Sequence, residues 1–176
     1  MKSLITIQKT FKVFKTLSMI AMIVSFIAAG TALLGLFCVI EWQSAGMLGF
    51  GRSVMEFAET TSLEPAICAL LSDAVFALTD GFLCLFAWNY FKMELADGTP
   101  FTHSGADKVR SLGIQTIVMP PVAVIISAVI YSFFGMTNSA DSSNAVSVVL
   151  GIVMILASLV FHYGAELEMK MGEIIK

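Results

Sequence analysis

Four apolar blocks separated by polar stretches constrain this chain more than any other feature. The blocks cover residues 17–40, 66–91, 114–134 and 145–163. A bilayer core needs about 20 apolar residues per helix, and a single segment inside lipid satisfies its backbone groups only as a helix. We therefore predict an all-α polytopic membrane protein with four transmembrane helices, arranged as two hairpins that are joined by a strap, residues 91–113.

The composition supports the membrane assignment. Of 176 residues, 57% are hydrophobic and 13% are charged, whereas soluble domains have about 25% charged residues. The net charge of −3 argues against direct binding of nucleic acid, which favours basic surfaces. Residues 17–165 are expected to form one transmembrane domain. The cysteines are expected to be buried free thiols, and no spacing of cysteine and histidine predicts a metal site or a cofactor.

The polar flanks have their own patterns. Residues 1–16 place four lysines beside an apolar arc, which predicts a basic amphipathic helix on the membrane surface. Residues 41–64 form a loop with apolar residues at helical spacing, which predicts a short interfacial helix, and 166–176 form a charged tail. In the first span, small residues at three- and four-residue spacing predict a helix-packing face. These are Ser25, Ala28, Ala29, Ala32 and Gly35.

The distribution of lysine and arginine predicts the orientation. Nine of the ten basic residues lie in the N-terminal segment, the strap or the C-terminal tail, and Arg52 is the exception. Because cytoplasmic loops carry the excess of positive charge, we expect both termini and the strap to be cytoplasmic.

Two aspartates lie within the second apolar block. Asp73 and Asp80 are seven residues apart, so they share one side of a helix, and we expect that side to face protein rather than lipid. Matching depths make Thr31 and Ser127 candidate partners of Asp80, and Tyr131 a candidate partner of Asp73. An intramembrane carboxylate indicates an ion or small-molecule site; the alternative is a neutral acid that holds helices together.

The strap and the tail offer a second candidate site. Ser104 and Asp107 have the spacing of a capping box, which predicts a helix from Gly105. His162 is either a pH sensor or an ordinary interfacial residue. No catalytic motif is present, so we do not expect an enzyme. The strap and the tail together form a mixed-charge face that could dock a cytosolic protein, with candidate residues Phe101, Thr102, His103, Lys108, Arg110, Glu166 and Met169.

Three short motifs resemble a known family. They are Gly98-Thr-Pro-Phe-Thr102, then Val109-Arg-Ser-Leu-Gly113, then Phe161-x-x-Gly164-x-x-Leu167. Together they resemble the bacterial four-span proteins catalogued as domain of unknown function 2975. The acidic ending common in that family is replaced here by Met169-Lys-Met-Gly-Glu-Ile-Ile175. The resemblance implies a location in the bacterial cytoplasmic membrane, no assigned catalytic residues, and a small cytosolic helix-turn-helix regulator as partner.

Two functions are therefore expected as alternatives. The first is a non-enzymatic membrane partner that holds or modulates such a DNA-binding regulator. The second is an ion- or small-molecule-binding membrane protein, with transport as one form of it, centred on the two aspartates. The lipid bilayer surrounds the chain in both cases, and a homo-oligomer is compatible with either.

Overall fold

The computed structural model describes residues 2–45, 63–97, 102–136 and 145–174. Within these ranges the chain forms four helices, with short non-helical stretches at 102 and 134–136, and contains no strand. The four helices are α1 (Lys2–Ala45), α2 (Leu63–Asp97), α3 (His103–Phe133) and α4 (Ala145–Ile174). Each is long and apolar enough to span a membrane, which confirms the predicted fold class.

The helices are longer than the predicted spans. At 1.5 Å per residue, the 44 residues of α1 extend about 66 Å, roughly twice the thickness of a bilayer core. Helix α1 runs without interruption through the expected boundary between residues 16 and 17, since no glycine or proline lies there. The interfacial helix expected in 41–64, centred on residues 47–57, lies outside the described residues, as does Phe101.

The helices contribute to two compact units. The first, unit 1, contains residues 1–22, 82–119 and 143–176, and the second, unit 2, contains residues 23–81 and 120–142. In α3 the division falls beside Pro120 and Pro121, where the backbone lacks two amide donors, although α3 remains helical through both prolines.

Unit 1 has a core of aromatic and aliphatic side chains. Tyr90 of α2 packs with Val109 and Leu112 of α3, and all three are buried. Side chains from α2 and α4 surround this core, namely Phe86, Ala87, Phe91, Met154, Ala157 and Phe161. The core therefore joins the second half of α2, the first half of α3 and α4.

Two further contacts bring distant parts of the chain to one end of unit 1. Phe91 of α2 lies 5.8 Å from Phe11 and 5.7 Å from Phe14, measured between ring centroids. His103 of α3 lies against His162 of α4. The N-terminal part of α1, the strap and the C-terminal part of α4 thus meet at the same end, which we call the strap end.

Unit 2 is held by small residues and one buried polar contact. Ala29 and Ala32 of α1 are buried, as is Gly35, which confirms most of the predicted packing face, although Ala28 is exposed. A side chain on Gly81 of α2 would lie 3.1 Å from the ring of Phe26. On another side of α2, the buried Ser72 is hydrogen-bonded to Ser127 of α3.

Candidate functional site

The strap end is organised around the first turn of α3. The backbone amide of Gly105 donates to the Thr102 hydroxyl oxygen at 2.9 Å, and the amide of Ala106 donates to the Thr102 carbonyl at 3.0 Å. Thr102 is therefore the N-cap residue. The expected start at Gly105, capped by Ser104, is wrong: α3 begins at His103, and Ser104 is exposed.

A carboxylate from the neighbouring helix occupies this first turn. Glu94 of α2 is only 2% exposed, and its Oε1 atom overlaps the place where a side chain on Gly105 would begin. A negative charge is stabilised at the N-terminus of a helix because the helix dipole is positive there. In a capping box a glutamate of the same helix supplies this charge. Here the neighbouring helix supplies it, and this fixes α2 against the start of α3.

The only two histidines of the chain meet at the same end. His103 and His162 are 59 residues apart in sequence, yet their Nδ1 atoms lie 3.5 Å apart and their ring centroids 4.5 Å apart. At this separation one Nδ1 donates a hydrogen bond to the other when the first carries a proton and the second does not. The pair connects the strap to α4.

His162 also borders a cavity between α3 and α4. The cavity has a volume of about 200 Å³, and its lining includes His162 and Ser158 of α4 together with Asp107 and Arg110 of α3. Within the described residues, no group of three or more His, Cys, Asp or Glu side chains is placed to hold a metal ion. With one cation, one carboxylate and one hydroxyl, the cavity is suited to polar contacts of both charge signs.

Three predicted docking residues besides His103 lie along α3 and α4 on either side of the histidine pair, because these two helices run antiparallel. Arg110 lies two turns after His103 on α3, while Glu166 and Met169 lie one and two turns after His162 on α4, so that each set shares one side of its helix. Arg110, Glu166 and Met169 are exposed. We call this the histidine face, and it consists of His103, Asp107, Arg110, His162, Glu166 and Met169.

Two predicted docking residues do not belong to this surface. The side chain of Thr102 is used by the cap of α3. Lys108 lies on another side of α3, where its ammonium group contacts the Met93 thioether of α2. Lys108 therefore belongs to the groove between α2 and α3.

The aspartates are placed differently from the expectation. Asp73 and Asp80 do share one side of α2, but both are exposed, so the prediction that they face protein is wrong for the single chain. Ser72 faces α3, and Gly81 faces α1 on the opposite side of α2. At about 100° per residue, both aspartates lie roughly a quarter turn from each of those two contacts.

The expected partners of the aspartates also have other contacts. Ser127 is fully buried and donates to the Ser72 hydroxyl at 2.9 Å, while Thr31 is exposed and donates to the Ala28 carbonyl of its own helix at 2.8 Å. Only Tyr131 keeps its expected position, since it lies close enough to interact with Asp73 and Ser72.

Sequence reasoning missed two residues of the strap end. Glu94 gave no signal, because its partner turn is on another helix. The pairing of His162 with His103 was not predicted either, although the chain has two histidines and both lie near predicted span ends.

Comparisons with known proteins add no relative. A scan against models of protein families found no matching family, and searches of the curated proteins and of the solved structures found no match.

Proposed function

We propose that this chain is a non-enzymatic multi-pass protein of the bacterial cytoplasmic membrane that holds or modulates a small cytosolic helix-turn-helix regulator. Both termini and the strap are cytoplasmic in this proposal, and the regulator docks on the histidine face. The kind of partner rests on the resemblance in 98–102, 109–113 and 161–167 to the four-span family named above.

One observation carries the proposal: the contact between His103 and His162 joins the strap to α4. Once they are joined, Asp107 and Arg110 on α3 line a cavity together with His162, and Glu166 and Met169 extend the surface along α4. Charged residues of both signs around a recess favour specificity and orientation in protein association. The contact between Glu94 and Gly105 supports the same surface by fixing the start of α3.

Photo-crosslinking in native membranes tests this proposal. A photoreactive amino acid replaces Arg110 or Glu166 on the histidine face, and in a control chain it replaces Ser132, which is exposed near the other end of α3. We expect a small DNA-binding protein to be captured at both positions on the face and not at Ser132. Capture of the same proteins at all three positions, or of no DNA-binding protein, would contradict the proposal.

A charge reversal gives the same test a quantitative form. With the photoreactive residue at Glu166, we expect Arg110→Glu to lower the captured regulator about tenfold, since loss of one interfacial charge contact corresponds to about 1.4 kcal/mol or more. Lys92→Glu is the matched control, because Lys92 is an exposed cation of α2 that lies over the Trp88 ring. An equal loss in both variants would indicate nonspecific charge attraction.

The second candidate function is ion or small-molecule binding at the aspartates. The observation that favours it is the exposure of both carboxylates on one side of α2, with Tyr131 beside Asp73. A proton or cation site would give the purified chain a melting temperature that depends on pH or on added Na⁺, and Asp80→Asn would abolish this dependence. A purely structural aspartate would leave the dependence unchanged in that variant.

A further inference from the structure

A groove lined by both polar and apolar side chains lies between α2 and α3 within unit 1, away from the histidine face. Its volume is about 190 Å³. Lys108 stands at the strap end of the groove, and Gln115 lies about 10 Å further along α3 at 1.5 Å per residue. The remaining side chains that matter here are Asn89 and Phe86 of α2 and Ser111 and Leu112 of α3.

The polar side chains of the groove lie where the strap meets the predicted spans, at the border between cytosol and hydrocarbon. Asn89, Lys108 and Ser111 are exposed and Gln115 is half-buried, although all four belong to helices that can span a membrane. At such a border, a polar group that is withdrawn from water needs a hydrogen-bonding partner. An occupant with polar atoms at this depth would supply that partner.

The polarity changes along the groove in the order of a phospholipid molecule. Lys108 supplies a positive charge near the strap end, and its contact with the Met93 thioether, a weak acceptor, leaves that charge available to an anion. The amides of Asn89 and Gln115 and the hydroxyl of Ser111 follow. Ile114 of α3 lies beside Gln115, and about one turn deeper Phe82 of α2 and Val118 of α3 also present exposed apolar side chains.

We propose that this groove binds one anionic phospholipid of the leaflet at the strap end. The phosphate contacts Lys108, the glycerol and ester oxygens accept from Asn89, Ser111 and Gln115, and the acyl chains lie on Phe82, Ile114 and Val118. Basic pockets between transmembrane helices bind lipid headgroups in this way. The chemistry recognised is a phosphate ester. The exposed apolar side chains beside and below the groove favour a lipid over free phosphate as its source.

Native mass spectrometry of the full chain released from detergent tests the lipid site. Phosphatidylglycerol is the probe, phosphatidylcholine is the zwitterionic comparison, and inorganic phosphate is the competitor. We expect one phosphatidylglycerol to be retained and millimolar phosphate not to displace it. Displacement by phosphate would assign the groove to a free anion and overturn the lipid proposal, and equal retention of phosphatidylcholine would overturn the role of the charge.

Variants locate the retained lipid. Lys108→Gln is expected to weaken binding of phosphatidylglycerol about tenfold, as loss of a charge-assisted contact does, and Lys108→Arg is expected to keep it. Lys92→Gln is the matched control, because Lys92 is exposed one turn from Asn89 but does not line the groove. An equal loss in Lys92→Gln, or no loss in Lys108→Gln, would overturn the site. Crosslinking at Arg110 and Glu166 is independent of this result, so the two proposals can fail separately.

Discussion

A close approach between α3 and α4 in unit 1 depends on two glycines. A side chain on Gly113 of α3 would begin 2.9 Å from the Gly151 carbonyl of α4, and one on Gly151 would begin 2.7 Å from the Gly113 carbonyl and overlap the Ile117 side chain. Real side chains do not approach a backbone this closely. Helices in lipid associate through such small-residue contacts, because tight packing replaces the hydrophobic effect as the source of attraction.

A matched pair of glycine substitutions tests this contact. Gly151→Ala should lower the free energy of unfolding by about 1–3 kcal/mol, the usual cost of overpacking. Gly30→Ala is the control, because no atom lies within 4 Å of the new methyl group and alanine favours the helix by up to about 1 kcal/mol. Unfolding by a denaturing detergent in mixed micelles measures both. Equal effects of the two substitutions would show that α3 and α4 do not pack at Gly113 and Gly151.

At the scale of single helices, the start of α3 shows why local sequence was insufficient. Thr102 and Ser104 are both good N-cap residues, and the spacing of Ser104 and Asp107 favoured the wrong one. The choice depends on Glu94, which fills the space beside Gly105. With Thr102 as the cap, Gly105 takes the third helical position. Because glycine has no side chain, it leaves room there for the Glu94 carboxylate.

Substitutions on both sides of this contact should loosen the strap. Gly105→Ala places a methyl group where the Glu94 carboxylate lies, so we expect faster amide hydrogen exchange in residues 102–110 and a loss of about 1–3 kcal/mol. Glu94→Gln keeps the shape but removes the charge at the helix N-terminus, and should cost about 0.3–2 kcal/mol.

Glu166→Gln serves as the control for these two variants, since Glu166 is exposed on α4 and its loss should leave exchange in 102–110 unchanged. If Gly105→Ala also left exchange there unchanged, Glu94 would not hold the start of α3.

At the scale of the whole molecule, the hydropathy pattern was sufficient to predict the number of helices and their places in the chain. Apolar length decides whether a segment can enter lipid, and length can be read from a single segment.

The rotation of each helix about its axis could not be read in the same way. Asp73 and Asp80 were correctly placed on one side of α2, yet the side that meets α3 carries Ser72, which is one residue and about 100° away. Which side is buried depends on the neighbouring helices, and so do the pairing of His103 with His162 and the contact of Glu94 with Gly105.

The orientation in the membrane is the prediction that applies to the whole chain. Contacts of Phe91 with Phe11 and Phe14 place the N-terminal part of α1 at the strap end, and the histidine pair places the C-terminal part of α4 there. Nine of the ten basic residues lie in the segments that meet at this end. Because positive charge is retained in the cytoplasm, we expect Lys9, Lys92 and Lys170 to be cytoplasmic.

The measurement uses single cysteines at these positions, in a chain whose Cys38, Cys68 and Cys84 are replaced by serine, and a maleimide that does not cross membranes. In intact cells the three cysteines should be protected, and a cysteine at Ser53 should react. After lysis all four should react. Reaction of a cysteine at position 9 or 170 in intact cells would overturn the orientation.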